Sequence, residues 1–313
     1  MKLLVTGGLG FIGSHLVEKL SNKNNEIIIL TKTLSKKANL QNLSKNVKIK
    51  KINLTDFQKV GRIIEEFKPN VIIHLAGNTS HSKSFEEPLQ DVDSNTKTTL
   101  FMLEKIKQLK IPCRFILGST FIVIGRPKKL PVNENSSCNP TTIYGTNRLA
   151  SEHLCRIYHE VYNINTNIFR ITNSYGPREQ ITPKKNAVNF LINQAFKKEK
   201  VSIFNKGEFF RDLIYVDDVI DGINVIIKKG KSGELYWISS NKKTWFKKFG
   251  KILQSLTKCE LDYPETPNYT KKVDVGNFVV DNTKLRSLGW KPKVPINIGI
   301  KKTIEFFQVN EKI

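Results

Sequence analysis

The sequence predicts an α/β protein, a doubly wound parallel sheet with a smaller α/β domain at its C-terminal end, on three observations. Apolar runs bounded by turns recur at Leu3–Thr6, Ile27–Leu30, Val47–Ile52, Val71–Leu75, Phe115–Leu117 and Thr166–Arg170. Helical patterns alternate with them, at Phe57–Phe67, Asn95–Lys107 and Thr146–Tyr162. A glycine-rich turn joins the first run to the first helix. Continuous apolar runs of this length are what strands buried on both faces of a parallel sheet require, and the alternation with helices covers those faces.

Taken in order, Lys2–Thr6 runs directly into Gly7-Gly8-Leu9-Gly10-Phe11-Ile12-Gly13 and then a helix-like stretch, Ser14 to Leu20. Glycines there permit a tight turn and close approach of backbone to a pyrophosphate, while the helix behind offers free N–H groups and the positive end of its dipole. The arrangement implies a dinucleotide site, and so a Rossmann-type fold. The same glycines interrupt the apolar stretch, and His15 and Glu18 follow at once, which argues against a cleaved signal segment. In such a sheet ligands sit beyond the carboxyl ends of the strands, where Gly7–Gly13, Ala76-Gly77 and Gly118-Ser119-Thr120 fall. Residues 1–172, with about 212–229, are therefore expected to form the dinucleotide-binding domain. Beyond Arg170 the pattern loosens into Asn173–Pro177, a helix near Asn186–Lys198, a strand around Arg211–Val216 followed by a helix over Asp217–Ile227, and turn-rich sequence. Residues 173–211 and 230–313 are expected to form a substrate-binding domain.

Composition narrows the class further. A chain of 313 residues can bury a large core, and 51 Lys and Arg against 28 Asp and Glu leave a formal charge of +23. That field favours anionic ligands, but the lysines lie along the whole chain with no basic block and no nucleic-acid motif, so specific nucleic-acid binding is not expected. No apolar run approaches a membrane span, and Cys113, Cys138, Cys155 and Cys259 lack metal-ligand spacing. A reducing, cytoplasmic setting with no metal site is the expectation.

Tyr144 and Arg148 lie one helical turn apart at the entrance of a helix, so they share a face. A fixed cation beside a phenol favours the phenolate, which makes the pair a candidate general acid/base; a surface Tyr and Arg stacked along a helix is the alternative reading.

With the glycine loop, further motifs appear in order: His74-Leu-Ala-Gly77, Asn95 before Thr98-Thr99-Leu100, Ser119-Thr120, Tyr144-x-x-x-Arg148, Phe169-Arg170, Asn173-Ser-Tyr-Gly-Pro177, Arg211-Asp-Leu-Ile-Tyr-Val-Asp-Asp218 and Leu288-Gly-Trp-Lys-Pro292. Nearly end to end, the chain resembles the extended short-chain dehydrogenase/reductases, the NAD(P)-dependent epimerases and dehydratases that act on nucleotide sugars. The resemblance implies a nucleotide-diphosphate sugar as substrate and hydride transfer at a sugar carbon, with C4 keto reduction the lead and 4-epimerisation the alternative. It implies that Tyr144 exchanges a proton with the sugar oxygen and that Thr120 hydrogen-bonds the same oxygen. Gly7, Gly10, Phe11, Ile12, Gly13, Leu75, Ala76 and Gly77 would hold the cofactor, Asn53 and Leu54 its adenine, and Asn173, Arg211 and Lys271 the diphosphate and nucleotide. Asn95 would hold a water or backbone contact behind the site, or serve as a helix-start residue. Relatives commonly pair as homodimers through helices that here include Asn95–Lys107 and Thr146–Tyr162.

Departures from the family pattern carry their own expectations. Arg148 stands where the family has Lys, keeping the charge but not the ammonium's geometry; impaired catalysis, in a cofactor-binding regulatory protein, is the alternative it raises. Thr31 and Lys32 follow the second strand where NAD-preferring relatives carry a carboxylate, so NADP(H) is favoured with NAD(H) left open. Phe121-Ile122 follow Thr120 where 4,6-dehydratases carry Asp-Glu, which disfavours dehydration. Asp217 and Asp218 are read as a helix cap and interdomain contact.

Overall fold

The computed structural model describes residues 1–21, 23–40, 44–182 and 187–310. The first part of the chain runs β1 (Lys2–Thr6), α1 (Phe11–Ser21), β2 (Glu26–Thr31), β3 (Val47–Lys51), α2 (Phe57–Phe67), β4 (Val71–His74), α3 (His81–Glu86), α4 (Pro88–Val92), a π-turn over Asp93–Lys97, α5 (Thr98–Leu109), β5 (Arg114–Thr120), α6 (Ile143–Tyr162) and β6 (Thr166–Ile171). Then follow β7 (Asn173–Tyr175), α7 (Ala187–Phe196), β8 (Val201–Ser202), β9 (Phe210–Arg211), β10 (Leu213–Tyr215), α8 (Val216–Lys229), β11 (Leu235–Ile238), β12 (Thr244–Trp245), α9 (Phe246–Thr257), β13 (Leu261–Asp262), α10 (Asn268–Val273), α11 (Thr283–Arg286) and α12 (Ile296–Asn310). The helix expected near Asn186–Lys198 is α7; Asn186 itself lies outside the described residues.

The central sheet has seven strands in the order β11-β6-β5-β4-β1-β2-β3. Strand β1 pairs in parallel with both β2 and β4, setting Thr6 between Leu30 and His74. Strand order therefore reverses at β1 and β4, the switch point at which doubly wound sheets bind dinucleotides. Ile27 to Leu30 are all buried, as a strand covered on both faces demands. Helix α2 shows why the covering helices form where they do. Asp56 caps it by accepting from Lys59 N at 3.2 Å, Val60, Ile63, Ile64 and Phe67 fall on one buried face, and Lys68 ends it in the left-handed region at φ 47°. Each of those side chains contributes about 1.5–3 kcal/mol by leaving water.

By its internal contacts the chain divides into one unit of residues 1–120, 142–170 and 223–236 and another of residues 121–141, 171–222 and 237–313. Relative to the sequence-based division, 121–141 and 212–222 fall in the second unit, as do 171–172, while 230–236 fall in the first. Residues 121–141 are tied to the second unit by Val132 N donating to Val279 O at 2.9 Å. Residues 212–222 carry β10, whose partner strand is β7. Strand β11, which closes the large sheet, arises from sequence expected to be turn-rich.

Candidate functional site

The glycine loop leaves β1 at Gly7, whose φ of +71° lies in the region glycine favours. Gly7 N donates to Leu30 O at 3.1 Å, Gly10 N donates back to Gly7 O at 2.9 Å, and Ser14 N donates to Gly10 O at 2.9 Å, starting α1. A side chain at Gly13 would strike the Gly7 carbonyl and come within 2.8 Å of Gly8 Cα. The loop is therefore a cradle of bare backbone at a helix N-terminus, and its residues fit the pyrophosphate of a dinucleotide. Thr6 ties the cradle to the next strand: its Oγ1 lies 2.8 Å from His74 Nδ1 and accepts from Ala76 N at 3.1 Å. That fixes Leu75, Ala76 and Gly77 directly beside Gly7, where an added Cβ would sit 3.0 Å from Ala76 N. Burial, helped by the Arg148 charge, pushes His74 down to about 3, so it stays neutral.

At the carboxyl end of the sheet, Thr31 ends β2 and its hydroxyl donates to Thr33 O at 2.9 Å, while Lys32 is exposed. Asn53 is exposed just past β3 and accepts from Thr55 N at 3.3 Å; Leu54 is buried beneath it. Sequence reasoning missed Asn39, whose amide donates to Leu9 O at 3.1 Å and fastens the stretch after β2 to the glycine loop.

The candidate catalytic residues converge at the end of β5 and the start of α6. Thr142 caps α6 by accepting from Gly145 N at 3.0 Å, which places Tyr144 in the first turn and Arg148 one turn on, both buried. The Thr120 hydroxyl hydrogen-bonds the Tyr144 phenol. Burial raises the phenol's pKa and outweighs Arg148 and Thr120, which pull it down, so the net lowering expected from Arg148 alone does not hold. Arg148 Nη1 donates to Asn95 Oδ1 at 3.4 Å, and its Nε is buried without a hydrogen-bond partner among the described residues. Asn95 sits in the π-turn, where its carbonyl accepts from the hydroxyls of Thr99 at 2.8 Å and Ser151 at 3.2 Å. Such turns displace backbone from the regular ladder, and here the displacement sets the Asn95 side chain against Gly77 and Arg148.

Two supports were not legible as such. Ser119 donates to Glu152 Oε1 at 2.5 Å, and Glu152 is paired with Arg170 through Nε at 2.9 Å and Nη2 at 2.6 Å, all buried. Buried Asp91 accepts from Asn78 at 2.6 Å and Asn147 at 2.7 Å, pinning the stretch after β4 to α6. The His81 ring lies 5.6 Å from that of Tyr144. The spacing Tyr144, Arg148, Glu152 is a signal that could have found Glu152, since residues four apart share a helix face.

In the second unit, Asn173 opens β7, which pairs with β10, and Arg211 ends β9, which pairs with β12; Asn173 N donates to Asp212 O, next in sequence to Arg211, at 3.2 Å, and Asn173 Oδ1 has no partner among the described residues. Arg211 stacks over Phe209 at 5.0 Å and donates to Asp274 Oδ1 at 2.6 Å. Lys271 is exposed on α10, three residues before that carboxylate. Buried Asp212 accepts from Ser240 N at 2.8 Å and Val280 N at 3.2 Å, and burial pushes it up to about 6. Asp218 is no helix cap. Inside α8, it accepts from Lys293 N at 2.8 Å and Val294 N at 2.9 Å within the same unit, and Asp217 forms an exposed pair with Lys302. Among the described residues no cluster of His, Cys, Asp and Glu could hold a metal, and no helix is long and apolar enough to cross a membrane.

This cradle beside a Thr–Tyr–Arg constellation defines a nicotinamide-dinucleotide enzyme of the short-chain dehydrogenase/reductase type. The model of the GDP-mannose 4,6 dehydratase family matches residues 4–303. A putative UDP-glucose 4-epimerase of Methanocaldococcus jannaschii is 31% identical over 99% of both chains. The crystal structure of UDP-glucose 4-epimerase from Thermotoga maritima with UDP-glucose superposes with a TM-score of 0.91 at 30% identity, covering 99% of this chain and 100% of that one. The UDP-glucose 4-epimerase of Thermus thermophilus in complex with NAD gives 0.88 at 26%, covering 98% and 99%. The chain belongs to this family of extended short-chain dehydrogenase/reductases, the nucleotide-sugar epimerases and dehydratases.

Proposed function

We propose that the protein interconverts nucleotide-diphosphate hexoses at C4, as a nucleotide-sugar 4-epimerase, and that the observation carrying this reading is the hydrogen-bonded Thr120–Tyr144 pair beside Arg148. Gly7, Gly10, Phe11, Ile12 and Gly13 would hold the cofactor's pyrophosphate, Leu75, Ala76, Gly77 and Asn95 would flank it, and Asn53 and Leu54 would meet adenine. When bound, the nicotinamide supplies hydride exchange at the sugar carbon. Tyr144 takes the proton from the sugar hydroxyl and returns it, and Thr120 holds the oxygen by donating to or accepting from it as its charge changes. Arg148 lowers the cost of the phenolate in a site whose burial otherwise raises it. Asn173, Arg211 and Lys271 would bind the diphosphate, where a guanidinium fits phosphate in two-pronged fashion.

Phe121 and Ile122 supply neither acid nor base, which supports simple hydride exchange over dehydration. Relatives named as UDP-glucose 4-epimerases shift the preferred reaction from net C4 reduction to epimerisation. Exposed Lys32 and the lack of a carboxylate at the end of β2 support NADP(H) over NAD(H). Exposed Ile157, Val161 and Tyr162 on α6 and Leu100 on α5 support pairing of two copies through these helices. The test is incubation with UDP-glucose, dTDP-glucose and a 4-keto sugar nucleotide, with each cofactor in turn, read by NMR at C4 and by nicotinamide absorbance, beside a titration of each cofactor. A C4 epimer without net absorbance change is expected. Net consumption of reduced cofactor on a 4-keto sugar nucleotide would instead establish a reductase, and cofactor binding with neither reaction a regulator.

A further inference from the structure

The residue that holds Arg211 in place is itself held from an unexpected quarter. Arg211 is nearly buried; its Nη1 donates to Phe210 O at 3.1 Å and its Nη2 to Asp274 Oδ1 at 2.6 Å. Asp274 uses its other oxygen to accept from Gly276 N at 3.1 Å. The stretch carrying Asp274 is gripped at its backbone by one guanidinium: Arg126 donates from Nε to Asp274 O at 3.1 Å and from Nη2 to the carbonyls of Lys271 and Lys272. Lys271 and Lys272 lie in the last turn of α10, the helix end that attracts a cation, and Asp274 follows it. Thr141 adds a bond to Val273 O at 2.9 Å. Gly125, at φ +65° and with Asn139 O filling the space a side chain would need, sets the turn from which Arg126 departs.

We propose that Arg126 is a positioning residue for substrate binding: by clamping residues 271–274 it holds the Asp274 carboxylate that orients Arg211 toward a nucleoside diphosphate. All of these residues belong to the second unit. Its clamp segment, 121–141, begins one residue after Thr120 and ends one residue before Thr142, the cap of the helix bearing Tyr144. A planar guanidinium with several fixed donors suits three backbone carbonyls in a way that a lysine ammonium does not. The proposal rests on the reading of Arg211 as a diphosphate ligand.

Isothermal titration of the full chain with UDP and dTDP tests it, in the wild type, Arg126→Met, Arg126→Lys, Arg211→Met and the Arg126→Met/Arg211→Met double variant. Arg126→Met is expected to weaken nucleoside-diphosphate binding about tenfold, as loss of an oriented charge-assisted contact does, and Arg126→Lys by less. The double variant is expected to bind little worse than Arg211→Met, because both changes act on one contact. In turnover KM should rise in the single variant with kcat unchanged, and cofactor affinity should match the wild type. Unchanged affinity in Arg126→Met, or losses that simply add in the double variant, would overturn the proposal. If Arg126→Met does not fold, an unchanged affinity in Arg126→Lys overturns it equally. Undiminished binding in Arg211→Met, or a wild type that binds neither nucleotide, would instead overturn the diphosphate reading on which it rests.

Discussion

Replacing Glu152 on α6 removes the support it gives to Ser119 at the end of β5 and to Arg170 on β6, and its cost can be worked from the contacts. Glu152 is 0% exposed and Arg170 1%. The carboxylate accepts from Arg170 at 2.6 and 2.9 Å and from Ser119 at 2.5 Å. Glu152→Ala removes both acceptor oxygens and with them all three bonds, and leaves a buried guanidinium without its carboxylate, a change that costs about 3–5 kcal/mol when one partner of a buried pair is lost. Set against a total of about 5–15 kcal/mol for a folded domain, this lowers the urea midpoint severely. Glu152→Gln keeps the shape but turns an amide toward the guanidinium, for about 2–3 kcal/mol. Replacing both partners, as Glu152→Met/Arg170→Met, should recover most of the loss, since a well-packed apolar pair carries no uncompensated charge. Urea unfolding followed by far-UV circular dichroism, which reports the helices and strands of the first unit, measures all three. A loss below about 1 kcal/mol in Glu152→Ala, or a double variant no more stable than it, would refute the argument that the charge is what costs.

Further outcomes follow from the same contacts. Tyr144→Phe should lower kcat by about a hundredfold or more while leaving cofactor affinity within a few-fold of the wild type, by steady-state kinetics and cofactor titration. Gly13→Ala should abolish cofactor binding and cost about 1–3 kcal/mol, because its methyl meets the Gly7 carbonyl, and a cofactor-induced shift in Tm as large as the wild type's would speak against the cradle. Asp212, raised by burial to about 6 from an unfolded value of 3.8, binds its proton more tightly in the native state. Its proton-linked stabilisation is therefore fully present below pH 3.8 and is lost as pH rises through about 6, for roughly 3 kcal/mol at most. Asp212→Asn should remove that slope from the pH dependence of urea unfolding, and an unchanged slope would contradict it.

The sheet was legible because its strands are β-branched runs closed by turns: β1 to β4 and β6 fall within a residue or two of expectation. Helix α2 falls where expected because Asp56 and the apolar spacing mark it locally. Strand β11, Leu-Tyr-Trp-Ile, was not read, since four apolar residues in turn-rich sequence fit no single period. Tyr144 and Thr120 were legible as a motif. Their electrostatics were not, because the net raised pKa of Tyr144 depends on burial that the sequence does not display. Likewise the carbonyl of Asn95 in the π-turn takes hydroxyls from Thr98, Thr99 and Ser151, and Ser151 reaches it only through tertiary packing of α6. The Glu152–Arg170 pair and the Arg126 clamp join residues 18 and 145 or more positions apart, a distance over which local pattern carries no signal.

The central claim is that Thr120, Tyr144 and Arg148 move a proton at C4 of a nucleotide sugar while hydride is exchanged at the same carbon. Its most direct test is the fate of a deuterium placed at C4 of UDP-glucose, incubated with the wild type and with Tyr144→Phe. The account predicts that the wild type yields the C4 epimer with the deuterium retained and no net cofactor change, and that Tyr144→Phe forms it about a hundredfold or more slowly. Epimer formed at the wild-type rate by Tyr144→Phe, or deuterium lost to water, would contradict it.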